Sequence, residues 1–431
     1  MSHPDSTPVA LRKVKLQDFR CFRRFELARK SPKRSEGQWT LVLGENGVGK
    51  STLLRGIALA AVGTRLAHSL VDPDQGRSMI RGGAERAAVS VDAGKHGKGR
   101  FFLGTESKTD VSESTEPLPF PVFAYGSKRG SALGGSSRQV DLSPLGGVRT
   151  LFSADTQLVH AETWLKNLEL RAYKAQSSEV SGFREAVHAT LVAMLPGVEA
   201  LEVDADNVSL IGDAVGRSDL DSLSDGYGST LGWVLDLIVR WAERARESDR
   251  VLTGDFAESM TGLVLIDELD LHLHPRWQMQ VVSDLRRTFP RMSFFSTTHN
   301  PLTLHGAEEG EIHVLRRTED NVEVRSIDLR PGLTADAILT GGWFGLASTL
   351  DPETETLIER YQSLLRSGRR AEDADLRVLA DQLRMRLGSF ADTREERIAL
   401  ELVAEVTPGT LDAAAKEQLR RRMQAKLSER S

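Results

Sequence analysis

Apolar and polar residues alternate at the start of the chain. In RKVKLQDFRCFRRFEL the apolar members are Val14, Leu16, Phe19, Phe22 and Phe25, a pattern that predicts a strand or hairpin. The polar run RKSPKRSEGQ reads as a loop, and WTLVL after it as a buried strand. A glycine-rich turn follows, then a helix with Leu53, Leu54 and Ile57 on one side. Between residues 66 and 215 the pattern is less regular. AAVSVDA and PVFAYG read as short strands, GSKRGSALGGSSRQ as a loop, and HAETWLKNLELRAYKA as a helix. In DSLSDGYGSTLGWVLDLIVRWAERA, Leu231, Val234, Leu235, Ile238 and Trp241 recur at helical spacing. The strand GLVLI, a helix opening near Pro275 and the strand RMSFFSTT running into HNP complete the alternation. Strands and helices in this order predict a mostly parallel sheet. Beyond Gly342, Leu357, Tyr361, Leu364 and Leu365 form one helical stripe. Leu376, Leu379, Leu383 and Leu387 form another, and a basic helix, KEQLRRRMQAKLSER, ends the chain.

Four parts are expected. They are a first core segment over residues 1–65, an inserted strand and helical lobe over 66–215, the rest of the core over 216–330, and a helical appendage over 331–431. With 431 residues, 40% hydrophobic and 27% charged, the composition is that of a globular protein. A net charge of −5 argues against an overall nucleic-acid coat, so any such contact needs a local basic patch. One cysteine, Cys21, excludes an internal disulfide framework and fits a reducing compartment. No run of about 18 apolar residues occurs, so the expectation is a cytoplasmic protein without a membrane span.

The chemistry begins at GENGVGKS, which matches G-x-x-x-x-G-K-[ST] with Gly44, Gly49, Lys50 and Ser51. Glycines let successive backbone N–H groups turn inward on phosphates, and a helix N-terminus adds partial positive charge. Lys50 is placed to reach the β- and γ-phosphates and Ser51 to hold Mg²⁺. The expected cradle runs through Gly44, Glu45, Asn46, Gly47, Val48, Gly49, Lys50, Ser51 and Thr52. A fortuitous glycine turn would not need to fall between an apolar strand and a helix, as this one does. ATP or GTP binding follows. In LVLIDE, Asp267 comes after four apolar residues and should emerge at the strand's carboxyl end, where parallel sheets bind ligands. Asp267 then suits Mg²⁺ and Glu268 suits the attacking water. Without the phosphate loop, the same pair would read as ordinary acids at a strand–turn junction.

The order GENGVGKS, LSDG, LVLIDE and TTHNP resembles the ATP-binding-cassette class of P-loop ATPases, and within it the branch holding RecF, the SMC proteins and the OLD family. LQDFRCF resembles that branch's N-terminal strands, and the likeness covers roughly residues 12 to 305. It implies an α/β P-loop fold with a mixed or parallel sheet, ATP and Mg²⁺ as cofactors, and ATP hydrolysis using Lys50, Glu268 and a switch histidine, His299. It implies also that Ser224 and Gly226 of the signature LSDG touch the γ-phosphate held by a second copy, giving a homodimer around an ATP sandwich. An N-cap role for Asp221, Ser222 or Ser224 is the competing reading of that stretch. His274 stands where cassette transporters carry an aspartate, and LSDGY departs from their signature. Both point away from transport and toward the DNA- and defence-associated branch. The interval between Lys50 and Ser224 is too short for an SMC coiled-coil arm.

Smaller signals divide between readings. The resemblance suggests Arg20 for the adenine or ribose, beside Phe19 and Phe22, which a packed hairpin explains equally well. Arg129 in AYGSKR reads either as a phosphate or nucleic-acid contact or as part of a solvated loop. His272 and His274 lack the further ligands of a zinc site and read as part of a turn that meets the partner subunit, with Asp270. Asp373 and Asp375 fit the acidic start of a helix better than a nuclease. LTGGWFGLASTLDPETETLIERY looks like the tail of ATPase subunits of Septu-type antiphage systems, which pair with a separate nuclease. The expected function is therefore an ATPase regulating a nucleic-acid transaction in antiphage defence, with a separate nuclease and DNA or RNA as candidate partners. The alternatives are a RecF-type repair ATPase and an ATP-locked scaffold without turnover.

Overall fold

A computed structural model describes residues 7–29, 36–104, 115–129, 140–205, 207–248, 252, 254–328, 338, 350–366 and 374–388. It divides into two compact units, residues 1–338 and 339–431.

The opening alternation forms a hairpin of β1 (Lys13–Phe19) and β2 (Phe22–Ala28), paired antiparallel with Phe19 opposite Phe22. All five apolar members are buried: Val14 and Leu16 share one face by the period of two, and Asp18, with φ +49°, breaks the alternation before Phe19. Strands β4 (Arg86–Asp92) and β5 (Lys98–Gly104) extend this into a four-stranded antiparallel sheet in the order β2-β1-β4-β5. The segment 66–215 contributes strands to both larger sheets. Its first strands join the N-terminal hairpin, and its β6 (Val122–Tyr125) closes the edge of the central sheet. The alternating apolar face of AAVSVDA needs the apolar face of β1 beside it.

The central sheet has the order β13-β12-β3-β11-β10-β6. β3 (Trp39–Leu43), β10 (Gly262–Ile266), β11 (Met292–Thr297) and β6 are mutually parallel with β12 (Ile312–Arg317), while β13 (Val322–Ile327) is antiparallel at the edge. β3, β10 and β11 are buried along their whole length, as unbroken apolar runs covered on both faces should be. Helix α1 (Lys50–Ala61) touches both sheets, and Leu53, Leu54 and Ile57 are fully buried between them. A small antiparallel sheet of β7 (Ala200–Val203), β8 (Val208–Gly212) and β9 (Gly216–Asp219) follows helices α2 (Ala161–Ala175) and α3 (Ser178–Ala193). Helix α4 (Asp225–Glu247) buries the whole stripe from Leu231 to Trp241.

In the second unit, α5 (Pro352–Arg366) packs on α6 (Ala374–Gly388), with Leu376, Leu379 and Leu383 buried. Arg386 pairs with Glu353 at 2.6 Å. The basic C-terminal run and Asp373 lie outside the described residues. Among the described residues, no helix is long and apolar enough to cross a membrane.

Candidate functional site

Because β3, β10, β11 and β6 run parallel, their carboxyl ends lie along one edge of the sheet. Onto that edge they deliver four segments from distant parts of the chain: the glycine loop, the acid pair, Thr297 to His299, and Gly126 to Arg129.

The glycine loop spans Gly44 to Gly49 and ends at the first turn of α1. Gly49 has φ +117°, and a Cβ there would lie 2.5 Å from the Cys21 Sγ and 3.0 Å from the Phe22 ring. The hairpin turn thus presses on the loop from below, and only a glycine fits between them. Gly47, at φ +75°, is open, with nothing within 4 Å of an added Cβ. Lys50 is 7% exposed and donates to the carbonyls of Gly44 at 2.6 Å and Glu45 at 3.1 Å. Its ammonium is thereby held beneath the turn. Burial lowers the Lys50 pKa, opposed by Asp267, Glu268 and Asp270. A buried cation beside an open cradle of backbone N–H groups suits a polyphosphate. Ser51 is half-buried and Thr52 buried.

Asp267 is 3% exposed at the end of β10. Its amide donates to the Tyr125 carbonyl at 2.8 Å, and its carboxylate accepts from the Thr297 hydroxyl at 2.6 Å. The same Thr297 oxygen accepts the Glu268 amide at 2.9 Å. Glu268 is half-buried with φ +50°, a left-handed backbone that costs a non-glycine residue about 1–2 kcal/mol. Arg129 is buried, not part of a solvated loop. It donates to the carbonyls of Asp267 at 2.7 Å, Glu268 at 3.0 Å and Gly126 at 3.2 Å. Burial lowers its pKa to about 10, against the pull of the Asp267, Asp270 and Glu268 carboxylates, so it remains a cation at neutral pH.

The turn after the acid pair is compact. Leu271 N donates to Glu268 O and Leu273 N to Asp270 O, both at 3.1 Å. Asp270 is buried while His272 and His274 are exposed, and His274 Nδ1 caps the next helical turn by accepting from Arg276 N at 3.4 Å. Among the described residues, no group of three or more His, Cys, Asp or Glu is arranged to hold a metal ion. Gln278 braces the turn by donating to Leu273 O at 2.9 Å and accepting from Asn300 at 2.7 Å. His299, one residue before Asn300, is exposed.

Ser224 occupies the N-cap position of α4, yet its side chain makes no capping hydrogen bond and is exposed. Ser222 Oγ donates instead to Asp219 O at 2.7 Å. Gly226 is buried, and a Cβ there would lie 2.5 Å from His272 O. The signature turn therefore rests on the turn that follows the acid pair. Their contact extends through Tyr227 and Trp277, whose rings are 5.3 Å apart. Arg20 lies in the hairpin turn with φ +51°, half-buried, its amide donating to Met79 O at 2.8 Å. Phe19 and Phe22 belong to the hydrophobic core, as the packed-hairpin reading holds.

Several site residues had no signal of their own in the sequence. Arg317, at the end of the neighbouring strand β12, donates to Gly47 O at 3.0 Å from 270 positions away. Thr297 lies in a run that reads simply as buried strand. Tyr125 joins the site to α4: its hydroxyl donates to Asp236 at 3.0 Å, and Asp236 also accepts from Arg240 at 2.7 Å and from the Val159 amide at 3.0 Å. A cavity of about 540 Å³ lined by Trp241, Arg244 and Phe120 lies instead where β6 and β10 begin, at the other end of those strands.

Comparison with known proteins adds relatives to this geometry. A family model described as an AAA domain matches residues 13–115. Septu protein PtuA of Bacillus mycoides is 28% identical over 86% of this chain and 50% of its own length. The chain thus spans about half the length of that relative. The DNA replication and repair protein RecF of Gloeobacter violaceus is 28% identical over 41% of this chain and 42% of its own. The SMC head domain from Thermotoga maritima superposes with a TM-score of 0.40 at 14% identity, covering 74% of this chain and 99% of that one.

Proposed function

We propose that this chain, which is similar to P-loop ATPases of the RecF/SMC-like cassette type, binds ATP in the glycine loop and hydrolyses it between two copies of itself. The N–H groups from Glu45 to Thr52 and the Lys50 ammonium hold the phosphates, and Arg20 borders the nucleotide from the hairpin turn. Mg²⁺, when bound, screens the charge of the β- and γ-phosphates, and Ser51 and Asp267 are the residues that would hold it. Glu268 orients a water and takes its proton as the water oxygen bonds to the γ-phosphorus. The bond from that phosphorus to the leaving ADP oxygen breaks, and ADP and phosphate result. His299 senses the γ-phosphate from the end of β11.

One observation supports the dimer: Ser224 stands exposed at the start of α4 without a side-chain cap bond to that helix. Ser224 and Gly226 of one copy then complete the γ-phosphate site of the other. ATP closes the pair and hydrolysis releases it. The likeness to Septu protein PtuA supports work in defence against phage, with a separate nuclease acting on DNA or RNA under control of this cycle.

ATP turnover and light scattering of purified wild type, Lys50→Ala, Glu268→Gln and Ser224→Arg test the reading. Lys50→Ala should lose ATP binding, Glu268→Gln should accumulate ATP-bound dimer, and Ser224→Arg should stay monomeric with ATP bound. A Glu268→Gln variant with unchanged turnover and dimer lifetime would refute the hydrolytic cycle. A wild type that dimerises on ATP without turnover would make the protein an ATP-locked scaffold.

A further inference from the structure

The glycine loop and the acid pair account for phosphate and water, but not for the buried arginine behind them. β6 runs parallel to β10 with Tyr125 opposite Ile266, and Asp267 N donates to Tyr125 O, so the chain leaves β6 alongside the acid pair. At Gly126 it passes close to the backbone of Thr150, whose carbonyl would lie 2.4 Å from an added Cβ. A turn closed by Arg129 N donating to Gly126 O at 3.1 Å then brings the arginine back toward β10. Its two terminal nitrogens donate to two successive carbonyls, Asp267 O and Glu268 O. From the opposite side, Thr297 Oγ1 accepts the Glu268 amide. The peptide units on both sides of the Glu268 Cα are thus clamped, and that residue is the one with φ +50°.

A left-handed glutamate relaxes unless its surroundings hold it, and relaxation would swing the side chain away from its direction. A flat guanidinium with a forked donor pattern can hold two carbonyls at once, which a lysine ammonium cannot do with the same geometry. We propose that Arg129 is a positioning residue for ATP hydrolysis: by holding the Asp267 and Glu268 carbonyls it keeps Glu268 in the left-handed conformation from which the carboxylate meets the attacking water. Among the described residues its hydrogen bonds go to backbone carbonyls, so it acts on hydrolysis through Glu268 rather than by holding the nucleotide.

This inference rests on the ATPase reading above, and the test separates the two. The full chain is assayed for kcat, for KM and for equilibrium binding of a fluorescent ATP analogue, as wild type, Arg129→Ala and Arg129→Lys, with Glu268→Gln as reference. Arg129→Ala should lower kcat roughly 100-fold, the scale expected when a reacting group is misplaced by about 1 Å, and leave nucleotide binding within about threefold of wild type. Arg129→Lys should recover part of kcat, and millimolar guanidinium ion should raise the turnover of Arg129→Ala. If Arg129→Ala fails to fold, Arg129→Lys carries the same kcat-against-binding comparison. Turnover within threefold of wild type in both variants overturns the proposal, as does a parallel loss of nucleotide binding in a folded variant. A wild type with no turnover above Glu268→Gln overturns the ATPase reading, and this inference with it.

Discussion

The Thr297 hydroxyl donates to the Asp267 carboxylate at 2.6 Å and accepts the Glu268 amide at 2.9 Å, so one side chain of β11 fixes both acids at the end of β10. Thr297→Val removes the hydroxyl while keeping the shape, leaving the Glu268 amide unsatisfied and the Asp267 carboxylate free to turn. Loss of a hydrogen bond that orients a site carboxylate costs about 10- to 100-fold in activity, and that is the expected fall in ATP turnover. Thr297→Ser should retain most of it. Steady-state kinetics of the two variants, with nucleotide affinity measured alongside, decide the matter, and equal turnover in both would show the hydroxyl to be idle.

Asp236 and Arg240 form a buried ion pair one helical turn apart in α4, 1% and 3% exposed, and Tyr125 and the Val159 amide complete the coordination of the carboxylate. Removing one partner leaves a buried charge without its counter-ion. Asp236→Ala should therefore destabilise the first unit by about 3–5 kcal/mol, read by urea unfolding. Because α4 begins at Ser224 and Tyr125 O accepts from Asp267 N, the same variant should loosen the signature turn and the acid pair together. Hydrogen exchange at the amides of both segments would reveal that loosening. Unchanged stability would mean the pair is no net support.

His313 sits in β12 with its Nδ1 2.9 Å from Ser326 Oγ and its Nε2 buried without a hydrogen-bond partner among the described residues. Burial, reinforced by the nearby Arg29 cation, lowers its pKa to about 3 from the ordinary 6.5. The unfolded chain therefore binds a proton near pH 6.5 that the folded chain refuses until about pH 3. The stabilisation is complete above 6.5 and is lost as pH falls through the window between those values. Its slope approaches 1.4 kcal/mol per unit, as linkage requires for one proton. His313→Gln should flatten the acid limb of the stability profile by about that slope, measured by urea unfolding between pH 7 and roughly pH 4. A mutant profile parallel to wild type would place the titration elsewhere.

The placement of Gly44 to Ser51, Asp267 and Glu268 at strand ends was readable from the chain because each lies in a local pattern with a local cause. A glycine turn between an apolar strand and a helix, and acids at the end of an apolar run, carry their geometry in neighbouring residues. The alternation at Val14, Leu16, Phe19, Phe22 and Phe25 was legible for the same reason. What the sequence did not disclose was which strands stand side by side. Pairing across the sheet is decided by burial of whole faces, and it drew β4 and β5 to the N-terminal hairpin and placed β6 beside β10. Only that packing turned Arg129 from a loop residue into a buried clamp on the acid pair and made Thr297 the support shared by Asp267 and Glu268. Hydrogen bonds between residues 30 to 270 positions apart leave no periodic trace in a sequence. The chain's local order determined the glycine loop and the acid pair, and the tertiary fold decided which distant side chains hold them in place.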